Sequence, residues 1–310
     1  MRKKIIRFLG AALTLAACTA AFAAEKEHLS LPLPEGAFTV VVVPDTQNMT
    51  LFDFGGVRSI GKWIAENKEA RNILIAVHTG DIVTGGLGDK NWEKMSPALA
   101  SIREQVPFLT AAGNHDVGGK AFLYDYYRKW RPDTELPEEQ LFEGGKCSWR
   151  TVESPVGELL FVAVGSFDVK DEAVYEWVNG VLAAHKDTPA FLVTHDYLLY
   201  NAELSGTGKY LFERVVVPNP NVKYVFCGHN ADANTRVTEL DDDGDGTPDR
   251  TVYQLLMNMQ RDDRKTGYFR ILTFLPDGSL DVACYSAFLD DYDYFTKLDP
   301  RESFTIERAF

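Results

Sequence analysis

Short apolar runs alternate with amphipathic stretches along the chain. Runs rich in Val, Ile, Leu and Phe with few polar breaks are typical of strands covered on both faces; they occupy residues 38–43, 73–77, 106–112, 159–164, 190–194 and 222–227. Apolar positions three and four apart predict helices over residues 61–70, 92–103 and 171–185. The opening succession of strand, helix, strand, helix and strand predicts parallel strands joined by right-handed crossovers.

Two later regions depart from this pattern. Residues 252–257 and 268–274 are predicted as antiparallel strands, and a Pro-Asp-Gly-Ser turn at 276–279 precedes a return strand at 280–285. Residues 118–158 are rich in aromatic and charged side chains, and we interpret them as an insertion in the domain. Such a segment either walls a substrate cleft or forms a packed cap without substrate contact, and the composition favours neither.

Residues with carboxylate, amide or imidazole side chains follow five of the apolar runs. The carboxyl ends of parallel strands meet at one edge of a sheet, where open α/β folds place their sites. Three of the six histidines in the chain lie at these strand ends, so a chance arrangement of structural histidines explains the pattern poorly. The strand-end residues are Asp45 and Gln47, Asp81, Asn114 with His115 and Asp116, His195, and His229.

These side chains offer oxygen and imidazole donors without a thiolate, a combination that suits Mn, Fe or Zn. Hydrolysis is the chemistry that such a site performs best. A bound metal lowers the pKa of water from about 15.7 to about 7, and two ions about 3.5–4 Å apart hold both attacking and leaving oxygens. Asp81 follows the central run of the first three, and we expect it to bridge such a pair.

The ordered series resembles the calcineurin-like metallophosphoesterase superfamily, in the branch with Asp-x-Gln in its first motif. The resemblance covers about residues 38–275 and rests on Asp45-Thr46-Gln47, Gly80-Asp81, Gly113-Asn114-His115-Asp116, His195 and Gly228-His229. It implies an α/β fold, a metallophosphatase-like sandwich of two mixed β-sheets flanked by helices. It also implies an enzyme that hydrolyses a phosphomonoester or a phosphodiester with metal-activated water.

The resemblance also assigns roles to the strand-end residues. The first of two divalent ions would be held by Asp45 and Gln47, and Asp81 would bridge the pair. The second ion would be completed by Asn114, His195 and His229. Of the catalytic residues, His115 would protonate or stabilise the leaving-group oxygen, and Asp116 would orient His115.

Two departures from the family pattern affect the first metal site. Gln47 stands where the family usually has histidine, and Ala231 replaces the second histidine of the Gly-His-x-His motif. Asn230, Asp232 or water would have to fill that vacancy, so we expect a weakened first site. One alternative is therefore a catalytically weakened metal- or ligand-binding surface protein that retains the fold, and another is a hydrolase with one ion.

Residues 1–23 have the form of a signal peptide, with Arg2, Lys3, Lys4 and Arg7 before an apolar stretch at 8–17. Leu15-Ala16-Ala17-Cys18 predicts lipoprotein processing with an acylated Cys18, whereas Ala21-Phe22-Ala23 predicts ordinary cleavage before Ala24. Either processing route predicts an exported, periplasmic protein, and its membrane attachment, if any, is through Cys18 alone. A lead-in at 24–36 and a single metallophosphoesterase domain at 37–310 follow.

The net charge limits the class of partner, and the cysteines limit the possible disulfides. Removing residues 1–23, which hold four basic and no acidic residues, changes the formal charge from −13 to −17. Such an acidic chain is unsuited to non-specific nucleic-acid binding, so the expected partner is a small phosphate-ester substrate, whereas the oligomeric state is undetermined. The cysteines Cys147, Cys227 and Cys284 allow one disulfide with one thiol left over, and the alternative for Cys227 and Cys284 is that they are buried thiols within strands.

An acidic run at Asp241–Asp249 is a second, weaker candidate metal site. Its positions Asp241, Asp243, Asp245 and Gly246 match the opening of a calcium loop, but the twelfth position is Val252 instead of Glu. Strand-like residues flank the run on both sides. We therefore favour an acidic hairpin turn over a calcium site.

Overall fold

The computed structural model describes residues 6–7, 31–49, 55–84, 88–261, 266–295 and 300–310. The predicted signal peptide, including Cys18 and the Ala21–Ala23 cleavage motif, lies outside the described residues except for Ile6–Arg7. Within the described part of the chain, no helix is both long and apolar enough to cross a bilayer.

In the described residues the strands form two mixed sheets, and the larger one has eight strands. Its spatial order is β1-β10-β11-β9-β8-β7-β6-β5, in which β7, β8, β9 and β11 run parallel and the outer pairs are antiparallel. Its strands are β1 (Ile6–Arg7), β5 (Leu141–Phe142), β6 (Cys147–Ser154), β7 (Gly157–Val164), β8 (Ala190–Thr194), β9 (Val222–Cys227), β10 (Ala233–Leu240) and β11 (Arg250–Met257).

The second sheet has, over the part of the chain that the structure describes, seven strands in the order β14-β13-β12-β2-β3-β4, with β15 beside β13. As predicted, its first three strands along the chain, β2, β3 and β4, are parallel. The predicted strands at 252–257 and 268–274 fall in different sheets, because β11 joins β9 while β12 pairs with β2. The strands are β2 (Phe38–Val43), β3 (Ile73–His78), β4 (Phe108–Thr110), β12 (Tyr268–Phe274), β13 (Leu280–Ser286), β14 (Asp291–Tyr292) and β15 (Phe304–Ile306).

Helices cover the outer face of each sheet, which explains the unbroken apolar runs. In β2, Val40 and Val42 belong to the core between the sheets, and Val41 and Val43 belong to the core beneath the helices. The helices are α1 (Gly55–Asn67), α2 (Asp89–Arg103), α3 (Tyr124–Tyr127), α4 (Glu172–Ala184) and α5 (Gly206–Leu211), the last continuing as a π-helical turn at Phe212–Val216. The predicted fold class, a sandwich of two mixed sheets flanked by helices, is confirmed.

Residues 118–158 are joined to both layers of the fold. They contain α3, three 3₁₀ turns (Gly119–Ala121, Glu138–Gln140 and Glu143–Gly145), β5 and β6, and β6 pairs with β7 along its whole length. Tyr124 and Tyr127 are buried in the core beside Trp92, the Tyr127 and Trp92 rings lying 5.9 Å apart. These tyrosines therefore form part of a packed cap.

The structure shows the state of the three cysteines and the position of the acidic run. The three cysteines of the described chain are buried free thiols, so the alternative of a disulfide among them is not realised. The acidic run connects β10 to β11, whose antiparallel register ends at Leu240 opposite Arg250. It is thus the hairpin turn that the flanking strands predicted.

Candidate metal centre

The loops that follow β2, β3 and β4 in one sheet meet the loops that follow β8 and β9 in the other. His195 Nε2 is 3.1 Å from Asn114 Oδ1 and 3.2 Å from Asp81 Oδ2. His229 Nδ1 is 3.2 Å from the same His195 nitrogen. Four of the residues that the sequence singled out are therefore brought together, and potential ligand atoms of Asp81, His195 and His229 all lie within 4.8 Å of one another.

The fully buried imidazole of His195 is fixed by a carbonyl on its far side. Its Nδ1 lies 2.9 Å from Thr79 O, an acceptor, so Nδ1 carries a proton and Nε2 faces the cluster. This arrangement is the usual one for a metal-binding histidine. Burial alone lowers the pKa of His195, but the carboxylates of Asp81 and Asp45 outweigh it and raise the pKa to about 10. The same field would attract a metal cation.

Asp45 lies next to this cluster and is almost completely buried. Its two oxygens accept from the His229 backbone N–H at 3.2 and 3.1 Å, and Oδ2 accepts from Asn258 Nδ2 at 2.8 Å. Burial raises the pKa of Asp45 well above its usual value, an effect that nearby His195 opposes and Asp81 reinforces. Gln47, two residues later on the same loop, is half-buried.

The glycines of the motifs are required because the loops approach one another closely. A Cβ on Gly113 would lie 2.1 Å from Asp81 N, and a Cβ on Gly228 would lie 2.0 Å from Asp45 Oδ1. Asp81 and His229 themselves have φ angles of 51° and 68°, in the left-handed region that non-glycine residues rarely adopt. Such strained backbone is concentrated at functional sites, where the surrounding structure compensates for its cost.

His115 and Asp116 have different surroundings. His115 is exposed, and its backbone N–H donates to Asp81 Oδ1 at 2.9 Å. Asp116 is fully buried, and its carboxylate accepts from the backbone N–H groups of Ile82, Val83 and Gly113. The expected contact in which Asp116 orients the His115 ring is replaced by these backbone bonds, which join the loop after β3 to the loop that carries His115.

The space that Ala231 leaves is not taken by either of its polar neighbours. The Asn230 side chain donates to Leu198 O at 2.8 Å, and Asp232 forms ion pairs with Arg261 and Arg301, each at 2.9 Å. The side chain beside Asp45 is Asn258, which the sequence analysis missed. It directly follows β11, so the rule that found the other strand-end residues would have selected it.

The donor set fits a divalent cation. Asp81, Asn114, His195 and His229 would supply two oxygens and two imidazoles for one ion, which is a full set for Mn, Fe or Zn. An adjacent first site would have the carboxylate of Asp45 and would share Asp81, with Gln47 on the same loop. It lacks an imidazole among the residues predicted for it.

The acidic hairpin also brings carboxylates together. Oxygens of Asp241, Asp243 and Asp249 lie within 4.8 Å of one another. The loop's own backbone already binds them, since Asp241 accepts from Gly244 and Gly246 N–H at 2.6 and 2.8 Å. The proximity of the carboxylates is therefore the only structural feature of the described residues that supports a calcium site here.

Comparisons with known proteins identify the family of the chain. A family model described as calcineurin-like phosphoesterase matches residues 38–232. An uncharacterized protein of Bacillus subtilis, YvnB, is 31% identical over 277 residues, which are 86% of this chain. The chain spans only 21% of that relative's length.

Solved structures with the same fold are more distant in sequence. The purple acid phosphatase PPD1 from seeds of yellow lupin (Lupinus luteus) matches with a TM-score of 0.56 and 16% identity, over 90% of this chain and 55% of that one. GAP50, described as the anchor in the inner membrane complex of Plasmodium, matches with a TM-score of 0.53 and 13% identity, over 86% and 89%. By the family model and the Bacillus relative, this chain belongs to the calcineurin-like phosphoesterase family.

Proposed function

We propose that this protein is a metal-dependent phosphoesterase that hydrolyses a small phosphomonoester or phosphodiester. The observation that carries the proposal is the meeting of Asp81, Asn114, His195 and His229 from two different sheets around one point. A purely structural cluster would not need the left-handed backbone at Asp81 and His229. The acidic chain favours a small ester over a nucleic acid as substrate.

The proposed ligands would hold two ions. Asp81, Asn114, His195 and His229 would hold the second ion, and Asp45, Gln47 and Asp81 would hold the first. A divalent ion bound there supplies Lewis-acid polarisation of a phosphoryl oxygen and lowers the pKa of coordinated water. The buried carboxylates and the His195 ring, fixed through Thr79 O, keep the donor atoms oriented without substrate.

In this proposal His115 acts on the leaving group. Its backbone is tied to Asp81, while its exposed side chain stands at the rim of the centre. Donation of a proton by a positioned imidazole to a departing alkoxide contributes about 10²–10⁴-fold to rate. Asp116 supports this position indirectly, because its bonds to Ile82, Val83 and Gly113 hold the two loops together.

The experiment compares esters whose leaving groups need protonation to different degrees. With manganese added, the protein should hydrolyse p-nitrophenyl phosphate or its diester, and an alkyl phosphate. In His115→Ala we expect kcat on the alkyl ester to fall about 10²–10⁴-fold, with a smaller loss on the nitrophenyl ester and unchanged metal content. His185→Ala is the matched control, because His185 lies against Trp149, outside the metal-centre loops. No turnover of either class of ester would refute the proposal.

A second function is favoured by Ala231, which removes one ligand of the first site. A catalytically weakened surface protein that binds metal or ligand would retain the fold, and the Plasmodium neighbour is described as an anchor. This alternative predicts metal binding without turnover. A hydrolase with a single ion predicts turnover that is indifferent to Asp45→Ala.

Export is a further part of the proposal, supported by the basic residues and the apolar stretch at positions 2–17. Expression of the full chain in bacteria, followed by fractionation and mass spectrometry of the mature N-terminus, tests it. An acylated Cys18 indicates lipoprotein processing and membrane attachment, and an N-terminal Ala24 indicates ordinary cleavage. Recovery of the uncleaved chain in the cytoplasm would refute export.

A further inference from the structure

We propose that Asn258 and Gln260 form a chain of two amides that positions Asp45 at the first metal site, where the second histidine of the family motif is missing. Asn258 is 2% exposed and follows the last residue of β11. Its Nδ2 donates to Asp45 Oδ2 at 2.8 Å and to His229 O at 3.0 Å. It therefore contacts both the first-site carboxylate and the backbone of a second-site ligand.

The hydrogen bonds leave only one orientation for these amides. Both partners of Asn258 Nδ2 are acceptors, and Asn258 Oδ1 accepts from Gln260 Nε2 at 3.1 Å. Gln260 Oε1 in turn accepts from the backbone N–H of Asn48 at 2.9 Å. Asn48 lies on the same loop as Asp45, so the chain of bonds begins and ends on that loop. It connects the end of β11 in one sheet to the end of β2 in the other.

This orientation defines what the amides do. Because Asn258 turns its NH₂ group to Asp45 and its carbonyl oxygen to Gln260, it orients the carboxylate as a positioning residue and does not coordinate the ion. It occupies one acceptor position of Oδ2, and both carboxylate oxygens also accept from the His229 backbone N–H. A neutral hydrogen-bond donor holds Asp45 in place but supplies no electron pair to a cation. We therefore infer that the first site binds its ion more weakly than the second.

The neighbouring polar residues do not provide a competing solution. Asp232 is neutralised by two guanidinium groups, and Asn230 is bound to Leu198 O. The inference rests on the metal centre of the proposed function, but it concerns metal affinity alone. Its test measures binding, so an absence of hydrolysis would refute the proposed function and leave this result interpretable.

The test is a manganese titration of metal-free full-length protein, followed by calorimetry and by the electron paramagnetic resonance signal of Mn²⁺. We expect two classes of site, of which Asp45→Ala removes the weaker. Asn258→Ala should weaken that class by about 10–100-fold, the range for loss of an outer partner of a metal ligand, and should change the tighter class less, because its contact with His229 is to the backbone oxygen. Gln260→Ala should change it in the same direction by a smaller factor, and it serves alone if Asn258→Ala does not fold.

Asn221→Ala is the matched control. Like Asn258, Asn221 is a buried asparagine whose side-chain amide donates two hydrogen bonds. Its acceptors are the backbone carbonyls of Leu182 and His185. Its loss should lower stability and leave both metal classes unchanged. The proposal is overturned if Asn258→Ala and Gln260→Ala leave the weaker class as in wild type, or if Asn221→Ala weakens that class equally. A wild-type protein with a single class of site that is indifferent to Asp45→Ala would also overturn it.

Discussion

Replacing Gly228 by alanine tests how closely the two sheets meet at the metal centre. Gly228 follows β9 and precedes His229, and a Cβ built on it would lie 2.0 Å from Asp45 Oδ1 and 2.9 Å from Thr79 Oγ1. The φ angle of Gly228 is not in the positive range, so the expected effect is steric instead of conformational. The added methyl group can be accommodated only if the Asp45 carboxylate retreats.

The size of that retreat sets the expected loss. A carbon and an oxygen in contact need roughly 3 Å, so a separation of 2.0 Å requires a shift of about 1 Å. Misplacing a reacting group by about 1 Å can cost about 100-fold in rate, which is about 2.7 kcal/mol of activation free energy. Overpacking a closely packed interior also costs about 1–3 kcal/mol of folding free energy.

The assay measures metal content, kcat/KM and urea unfolding for Gly228→Ala beside a matched control. Gly180 lies within α4, where an added Cβ would meet no atom within 4 Å. Gly180→Ala should therefore keep full activity and stabilise the protein by about 0.5–1 kcal/mol. If Gly228→Ala retained wild-type metal content and turnover, the close approach of Gly228 to Asp45, and the argument built on it, would be wrong.

Three further predictions concern the same centre and the core. His195→Ala should lose the tightly bound ion in elemental analysis, because it removes the nitrogen on which Asp81 and Asn114 converge; an unchanged ion content would contradict the assigned ligand set. Asp116→Ala should lower the free energy of unfolding by about 1–3 kcal/mol for each of the three residues whose backbone N–H groups it leaves unpaired, and a urea midpoint equal to wild type would count against its role. Protein beginning at Ala24 should show no thiol reactive toward Ellman's reagent until it is unfolded, because burial raises the pKa of all three thiols; reaction of the native protein would contradict their burial. Those thiols are Cys147, Cys227 and Cys284.

Much of the fold could be predicted because buried strands carry an obvious signal. The runs at 38–43, 190–194 and 222–227 match β2, β8 and β9 in their bounds. Helix α1 is already present at Gly55, before the predicted start at residue 61, because two glycines and an arginine at positions 55–58 interrupt the apolar spacing. Strand β10 was missed, since its residues alternate polar and apolar only weakly and half of them lie at intermediate burial.

The site residues were found by a local rule, but their partners were not. Position after a strand selects Asp45, Asp81 and His195 without any knowledge of distance. Position after a strand does not show that Asp116 accepts hydrogen bonds from backbone N–H groups of another loop. Those bonds depend on how the loops after β3 and β4 approach each other.

The sequence by itself determined which strands are buried, where the polar ligands stand and that one ligand of the family pattern is absent at Ala231. Tertiary structure alone decided which side chain lies beside Asp45, because Asn258 comes from a different sheet and is 213 residues away along the chain. Periodicity reports on neighbours three or four residues apart, whereas the register between two stacked sheets depends on the packing of the whole core.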